Sequence, residues 1–150
     1  MSTAAIVSAI FEHAEDMAIG SPVLPVFFEG IAVKPPVRTK YLWVSLAPNE
    51  TERLAIGFDG VRVHQGIILI NLFWINGAGL VEPYEAADQV RAHWVDGTRL
   101  EGGGTRVEIN RPPSVRSAVQ EGAKMFIPIV VEYRSTTLPA VWNDPAIWNE

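Results

Sequence analysis

The hydrophobic positions of this chain are densest between Val61 and Ile75 (VRVHQGIILINLFWI), just after an Asp59-Gly60 turn signal. The segment is too short to cross a membrane as a helix. It is also too rich in β-branched and aromatic residues for a surface helix. Its odd positions are Val61, Val63, Gln65, Ile67, Leu69, Asn71, Phe73 and Ile75, and its even positions run from Arg62 and His64 through Gly66 to Ile68, Ile70, Leu72 and Trp74. Polar residues cluster before Gly66, and both faces are apolar after it. The pattern predicts a central strand that leaves solvent, bends at Gly66 and enters a core covered on both faces.

Around that strand the periodicity alternates between helix and sheet. Ser2 or Thr3 caps a first helix whose stripe is Ile6, Ile10, His13 and Met17, widened by Phe11, Ala14 and Ala18 and stopped by Gly20-Ser21-Pro22. Val23 to Val33 reads as a broken strand, and Pro35-Pro36 as an extended linker. Tyr41 to Ala47 is a strand. Leu54 to Phe58 forms a hairpin with Val61 onward, since Asp-Gly suits a type I′ turn. Asn76 to Gly79 is a loop, and Pro83 opens a second helix with Tyr84, Ala87, Val90 or Arg91, and Trp94 at helical spacing, ended by Gly97. Glu101 to Gly104 is a turn before the strand Thr105 to Ile109, and a polar segment from Ser114 to Gly122 follows. The last strand, Lys124 to Arg134, has a clean apolar face of Met125, Ile127, Ile129, Val131 and Tyr133. Pro128 lacks an N–H, which places that strand at an edge or gives it a bulge. The element order predicts an α+β fold: a mixed, mostly antiparallel sheet flanked by two helices. One domain is expected over 1–134, with a C-terminal extension over 135–150.

Composition narrows the function classes. A chain of 150 residues with 48% apolar content is large enough for one well-formed core. The formal net charge of −5 argues against nonspecific nucleic-acid binding. The densest cationic stretch, Val33 to Lys40, holds only Lys34, Arg38 and Lys40. There is no cysteine, which removes disulfides, thiolate metal sites and thiol nucleophiles together. Glu12, Glu15 and Asp16 interrupt the N-terminal apolar run, so neither a signal peptide nor a membrane span is expected, and folding in a cytoplasm is.

Candidate chemistry is sparse. Gly102-Gly103-Gly104 is followed by Thr105-Arg106 and a strand, without the Lys and helix that a phosphate-binding loop requires. His13 with Glu12 or Asp16 offers at most part of a metal site and lies on an apolar stripe, which fits a core or interface histidine better. No Gly-x-Ser-x-Gly turn is present. Trp43, Phe73, Trp74, Tyr84 and Trp94 are expected to build the core. Trp142 and Trp148 follow no period. They either fold back over the sheet or anchor on a neighbouring subunit.

Order and spacing supply what single motifs do not. Thr39-Lys40-Tyr41-Leu42-Trp43-Val44 follows a proline-rich linker, and Asp59-Gly60 leads into Gly66-Ile67-Ile68-Leu69-Ile70-Asn71-Leu72-Phe73. Later come the helix Tyr84 to Trp94, Thr105-Arg106-Val107-Glu108-Ile109, Arg111-Pro112-Pro113-Ser114-Val115, Glu121-Gly122-Ala123-Lys124 and the closing Glu132-Tyr133-Arg134. Over roughly Ser2 to Arg134 this arrangement resembles the tail-terminator-like proteins of long-tailed phages. The resemblance implies a non-enzymatic virion component without cofactor, metal or catalytic residue. Such proteins form a ring, typically hexameric, on the head-proximal end of the tail tube. The partners implied are further copies of itself, the tail tube protein and the head-tail connector protein, with no specific nucleic acid and no membrane. The location implied is the virion tail, assembled in the host cytoplasm. Flexible or turn-rich segments are the expected contact surfaces: Leu54, Phe58, Asp59 and Arg62 in one loop, Gly77 and Gly79 in a second, and Trp142 and Trp148 in the tail. Two alternatives remain open on the sequence. One is a head–tail joining or tail-completion protein, and the other a small ligand-binding or enzymatic α+β domain with a deep pocket.

Overall fold

A computed structural model describes residues 3–20, 23–31, 40–48, 52–53, 62–77, 79–102 and 105–137. Two helices and nine strands occur among them: α1 (Thr3–Glu15), β1 (Val26–Phe28), β2 (Tyr41–Pro48), β3 (Glu52–Arg53), β4 (Arg62–Ile75), α2 (Val81–His93), β5 (Arg99–Gly102), β6 (Thr105–Ile109), β7 (Ser114–Val115), β8 (Val119–Glu121) and β9 (Lys124–Thr137). They form one sheet of order β1-β2-β4-β9-β6-β5, with β3 on β4 and both β7 and β8 on β9. Only β1 and β2 run parallel; every other pairing is antiparallel. The architecture is α+β, as the element order predicts.

β4 and β9 are the backbone of the sheet, paired without interruption from Arg62↔Thr137 to Ile75↔Lys124. The even positions of β4 meet the odd positions of β9, so Ile68 faces Val131, Ile70 faces Ile129 and Leu72 faces Ile127. β2 continues two of these rows with Val44 and Leu42. All eight of these side chains are fully buried. Burial of each contributes about 1.5–3 kcal/mol.

Both helices lie on this face. Ile6, Ala9, Ile10 and Ala14 of α1, with Met17 just beyond it, join the same apolar cluster as Ala86, Ala87 and Val90 of α2 and the adjoining Trp94. α1 packs over β5 and β6, and α2 over β9, β7 and β4. α2 begins at Val81, which places Pro83 in its first turn as expected. Its N-cap, Leu80, makes no side-chain hydrogen bond, and Glu82 in the first turn meets the positive end of the helix instead. The helix ends at His93 rather than at Gly97. Gly97 sits in the next turn at φ +89° and donates its N–H to the Ile109 carbonyl at 2.8 Å.

Several local expectations change. β4 is not covered evenly on its two faces: both helices pack on the even face, while among the odd positions only Val63 is buried and Ile67 and Ile75 stay exposed. Trp43 and Phe73 therefore stay outside the core that holds Trp74 and Trp94. The strand runs through Gly66 unbroken. Arg99–Gly102, expected in part as a turn, is a strand paired with β6, since Leu100 is buried opposite Val107. The polar Ser114 to Gly122 segment holds two short strands. β9 lies inside the sheet and still accommodates Pro128. Arg116 N–H donates to the Pro128 carbonyl at 2.8 Å, so that residue's backbone faces away from β4. Pro128 thus falls one position beyond the β7 pairing, and its missing N–H costs no ladder bond to β4.

Candidate assembly surfaces

The odd face of β4 is one continuous surface with its neighbours in β2 and β9. Register aligns Tyr41, Phe73 and Phe126 in one row, Trp43, Asn71 and Pro128 in the next, then Ser45, Leu69 and Val130, and Ala47, Ile67 and Glu132. Val119 of β8 extends the first row beyond Phe126. Tyr41 stacks on Phe73 at 4.5 Å between ring centroids, Phe73 lies 5.3 Å from Phe126, and Phe27 stands edge-on to Tyr41 at 5.5 Å. Lys124 places its ammonium 5.0 Å from the Tyr41 ring centre. Tyr41 is buried at 5% exposure, and Phe27, Phe73 and Phe126 are half-buried around it. Ile67 and Ile75 keep 39% exposure and Val119 43%. In the middle of the face, the buried Oδ1 of Asn71 has no hydrogen-bond partner among the described residues.

The same face becomes charged toward β6 and β5. Arg134 pairs across from Glu108, Glu108 from Arg99 and Arg106 from Glu101. Arg106 and Glu101 form an ion pair at 3.0 Å, and Arg111 reaches Glu132 at 3.4 Å. Such exposed pairs set surface pattern more than stability. The sheet face is thus apolar over β1, β2, β4 and β8 and charged at the opposite edge.

At the far end of β4 the sheet stops in a cleft of about 490 Å³ lined by Ile75, Asn76, Gly77, Gly122 and Ala123. Asn76 holds the two turns together: its backbone N–H donates to the Ala123 carbonyl at 3.0 Å, and its side-chain amide to the Gly122 carbonyl at 3.2 Å. Gly77 and Gly79 take φ +97° and +87°, in the left-handed region that favours glycine. Beside them Leu80 and Val81 start α2 with 52% and 72% of their surface exposed. Apolar side chains so open on a helix terminus suit contact with another protein.

Of the expected contact residues, Gly77 lines this cleft and Gly79 lies just before α2. Arg62 opens β4 opposite Arg53 and Thr137. Leu54, Phe58, Asp59, Trp142 and Trp148 lie outside the described residues. The open face escaped sequence reasoning, although its signal was present: the odd positions of β4 carry Gln65 and Asn71 among the apolar residues, whereas the even run from Ile68 to Trp74 carries none. No group of three or more His, Asp or Glu that could hold a metal occurs among the described residues. No helix there is long and apolar enough to cross a membrane. Burial pushes the Tyr133 phenol above its usual range and, as the largest influence, pulls His13 below its own.

A sheet with helices on one face and a partly open apolar face on the other defines a small α+β domain whose distinctive features are surfaces rather than a pocket of converging polar groups. Residues 4–133 match the family of the phage tail terminator protein, and the chain belongs to that family. It is thereby a structural protein of a phage tail. One solved structure, which bears no functional name, is similar with a TM-score of 0.76 and 26% identity over 93% of this chain and 99% of that one. A chain from the virion of a native gene transfer agent particle shares the fold, with a TM-score of 0.58 and 19% identity over 91% of this chain and all of that one. No curated protein matches the sequence.

Proposed function

We propose that this protein caps the head-proximal end of the tail tube as a ring of identical copies, stops tube polymerisation and presents a surface for head joining. The observation that carries the reading is the family match, which runs from α1 to Tyr133 of β9 and so covers nearly the whole described fold. The likeness to a gene transfer agent virion chain, itself part of an assembled particle, supports it. The role needs no catalysis and no cofactor. It needs a rigid frame and surfaces for three kinds of neighbour: further copies, the tube protein and the head-tail connector protein. The net charge of −5 would let DNA pass a ring lumen without adhering. A homohexamer is the ring size we propose, with assembly in the host cytoplasm and residence in the virion tail.

The contact surfaces we assign are the segment from Leu54 to Arg62, the cleft at Gly77 with the neighbouring Gly79, the apolar sheet face, and the segment bearing Trp142 and Trp148. We take 1–134 as the family domain and 135–150 as its extension. β9 runs to Thr137, and Ser135 is buried with its hydroxyl donating to the Arg106 carbonyl at 2.7 Å, so a test of the extension removes only residues 138–150. Unchanged tails after that deletion would take the segment off the list.

The deciding experiment is electron microscopy of lysates from a phage with an early stop codon in this gene. Overlong, headless tubes are expected. Tails of normal length that fail to join heads would favour a head–tail joining role instead, and normal infectious particles would overturn both.

A further inference from the structure

His13 and His93 fasten the C-terminal turns of the two helices to each other. Nε2–H of His13 donates to the His93 carbonyl at 3.0 Å, and Nε2–H of His93 donates to the His13 carbonyl at 2.8 Å. The rings stack with centroids 4.0 Å apart and planes 21° from parallel. The Trp94 ring stands edge-on to His13 at 4.6 Å. Because each Nε2 faces a carbonyl, which only accepts, each ring carries its proton on Nε2 and takes the next one on Nδ1. We propose that this pair is an acid-released latch, holding α1 against α2 while both rings are neutral and freeing α1 when they are protonated.

The local charges decide the direction. The hydrogen bond to the His93 carbonyl, then Asp16 in the turn after α1, together with the negative helix C-termini, favour a cation. Opposing them are burial of His13 and the charge that His93 would carry across the stack. Burial is the largest influence, and His13 is held below its ordinary pKa of 6.5. The strands beneath α1 supply no counter-charge: Leu100, Thr105, Val107 and Ile109 are their buried positions, while Arg99, Glu101, Arg106 and Glu108 alternate onto the opposite face. A group with a depressed folded pKa contributes stability above its unfolded value and loses it as pH falls. For His13 that loss begins below 6.5. Two charged rings stacked at 4.0 Å then repel each other.

The latch secures one corner of the fold. Next to it, Trp94 Nε1–H donates to Met17 Sδ at 3.1 Å, and Gly20 N–H donates to Gln89 Oε1 at 3.0 Å. These contacts hold the end of α1, whose stripe of Ile6, Ile10 and Ala14 covers part of the core. Release would expose that stripe while leaving the β4–β9 ladder paired.

The test is amide hydrogen exchange on the full chain at pH 7.5 and pH 5.0, expressed as protection factors corrected for intrinsic rates. A fall of about tenfold or more in α1, with β4 and β9 unchanged, is expected. His64→Gln should keep that contrast, and the double variant His13→Gln/His93→Gln should lose it. Equal protection of α1 at both pH values would overturn the latch, as would a double variant that retains the wild-type contrast. If the double variant does not fold, the wild-type measurement decides alone. The outcome is independent of the tail-capping role, since it concerns the isolated chain.

Discussion

Tyr133 of β9 lies over Gly66, its register partner in β4. A methyl group on Gly66 would stand 2.6 Å from Tyr133 Oη and 2.7 Å from the Ala47 carbonyl oxygen. The glycine is thus a place where a ring and a neighbouring backbone approach, and the strand does not need to bend for it. Gly66→Ala should lower unfolding free energy by about 1–3 kcal/mol in denaturant titration, because the Ala47 carbonyl belongs to the paired β2 and cannot move aside. An unchanged midpoint would contradict this packing.

Burial raises the Tyr133 phenol above its ordinary pKa of 10.0. In the folded state it keeps its proton to higher pH than in the unfolded chain. Its stabilising contribution is therefore complete below pH 10 and is lost as pH rises through the folded value. Thermal unfolding from pH 9 upward should show a steeper decline for the wild type than for Tyr133→Phe.

The two faces of β4 should respond differently to substitution. Leu72→Ala on the helix-covered face should cost about 2–5 kcal/mol. Ile67→Lys on the open face, at a position 39% exposed and paired with Glu132, should change stability by about 1 kcal/mol or less and yet impair tail assembly in a phage complementation assay. A folded Ile67→Lys protein that fully restores infectious particles would remove the open face as a contact surface.

Proline tolerance along β9 should alternate. Pro128→Ala should shift stability by about 1 kcal/mol or less, since the restored N–H points away from the ladder with β4. Ile129 is the next residue, and its N–H points the other way, into the ladder with Ile70 of β4. Ile129→Pro should cost about 3 kcal/mol or more. Chemical denaturation of the two variants would separate them.

Gly77 and Gly79 have open space where a side chain would begin, so only their positive φ angles penalise substitution. Gly77→Ala and Gly79→Ala should each cost about 1–2 kcal/mol through backbone strain, with little disturbance of the core. Native-like near-ultraviolet dichroism together with a lowered melting temperature is the expected result.

Local periodicity along the chain determined the order of the main elements, the α+β class and the core faces of α1 and β9. Ile6 and Ile10, Ile68 to Trp74, and Met125 to Tyr133 each repeat at the spacing of their own element, and that information is carried by a few neighbouring residues. The chain order also pointed to the tail terminator family. Tertiary structure alone decided which layer lies where. Periodicity marks a face as apolar without saying what covers it. Both helices went to the same side of β4, so Phe73 and Trp43 remained on an open surface. Pro128 is admitted inside the sheet because the β7 pairing ends beside it and its backbone faces away from β4. The pairing of His13 with His93 joins the ends of two helices distant in sequence. Each of these is a long-range placement, set by how whole elements pack, and no short window of sequence contains it.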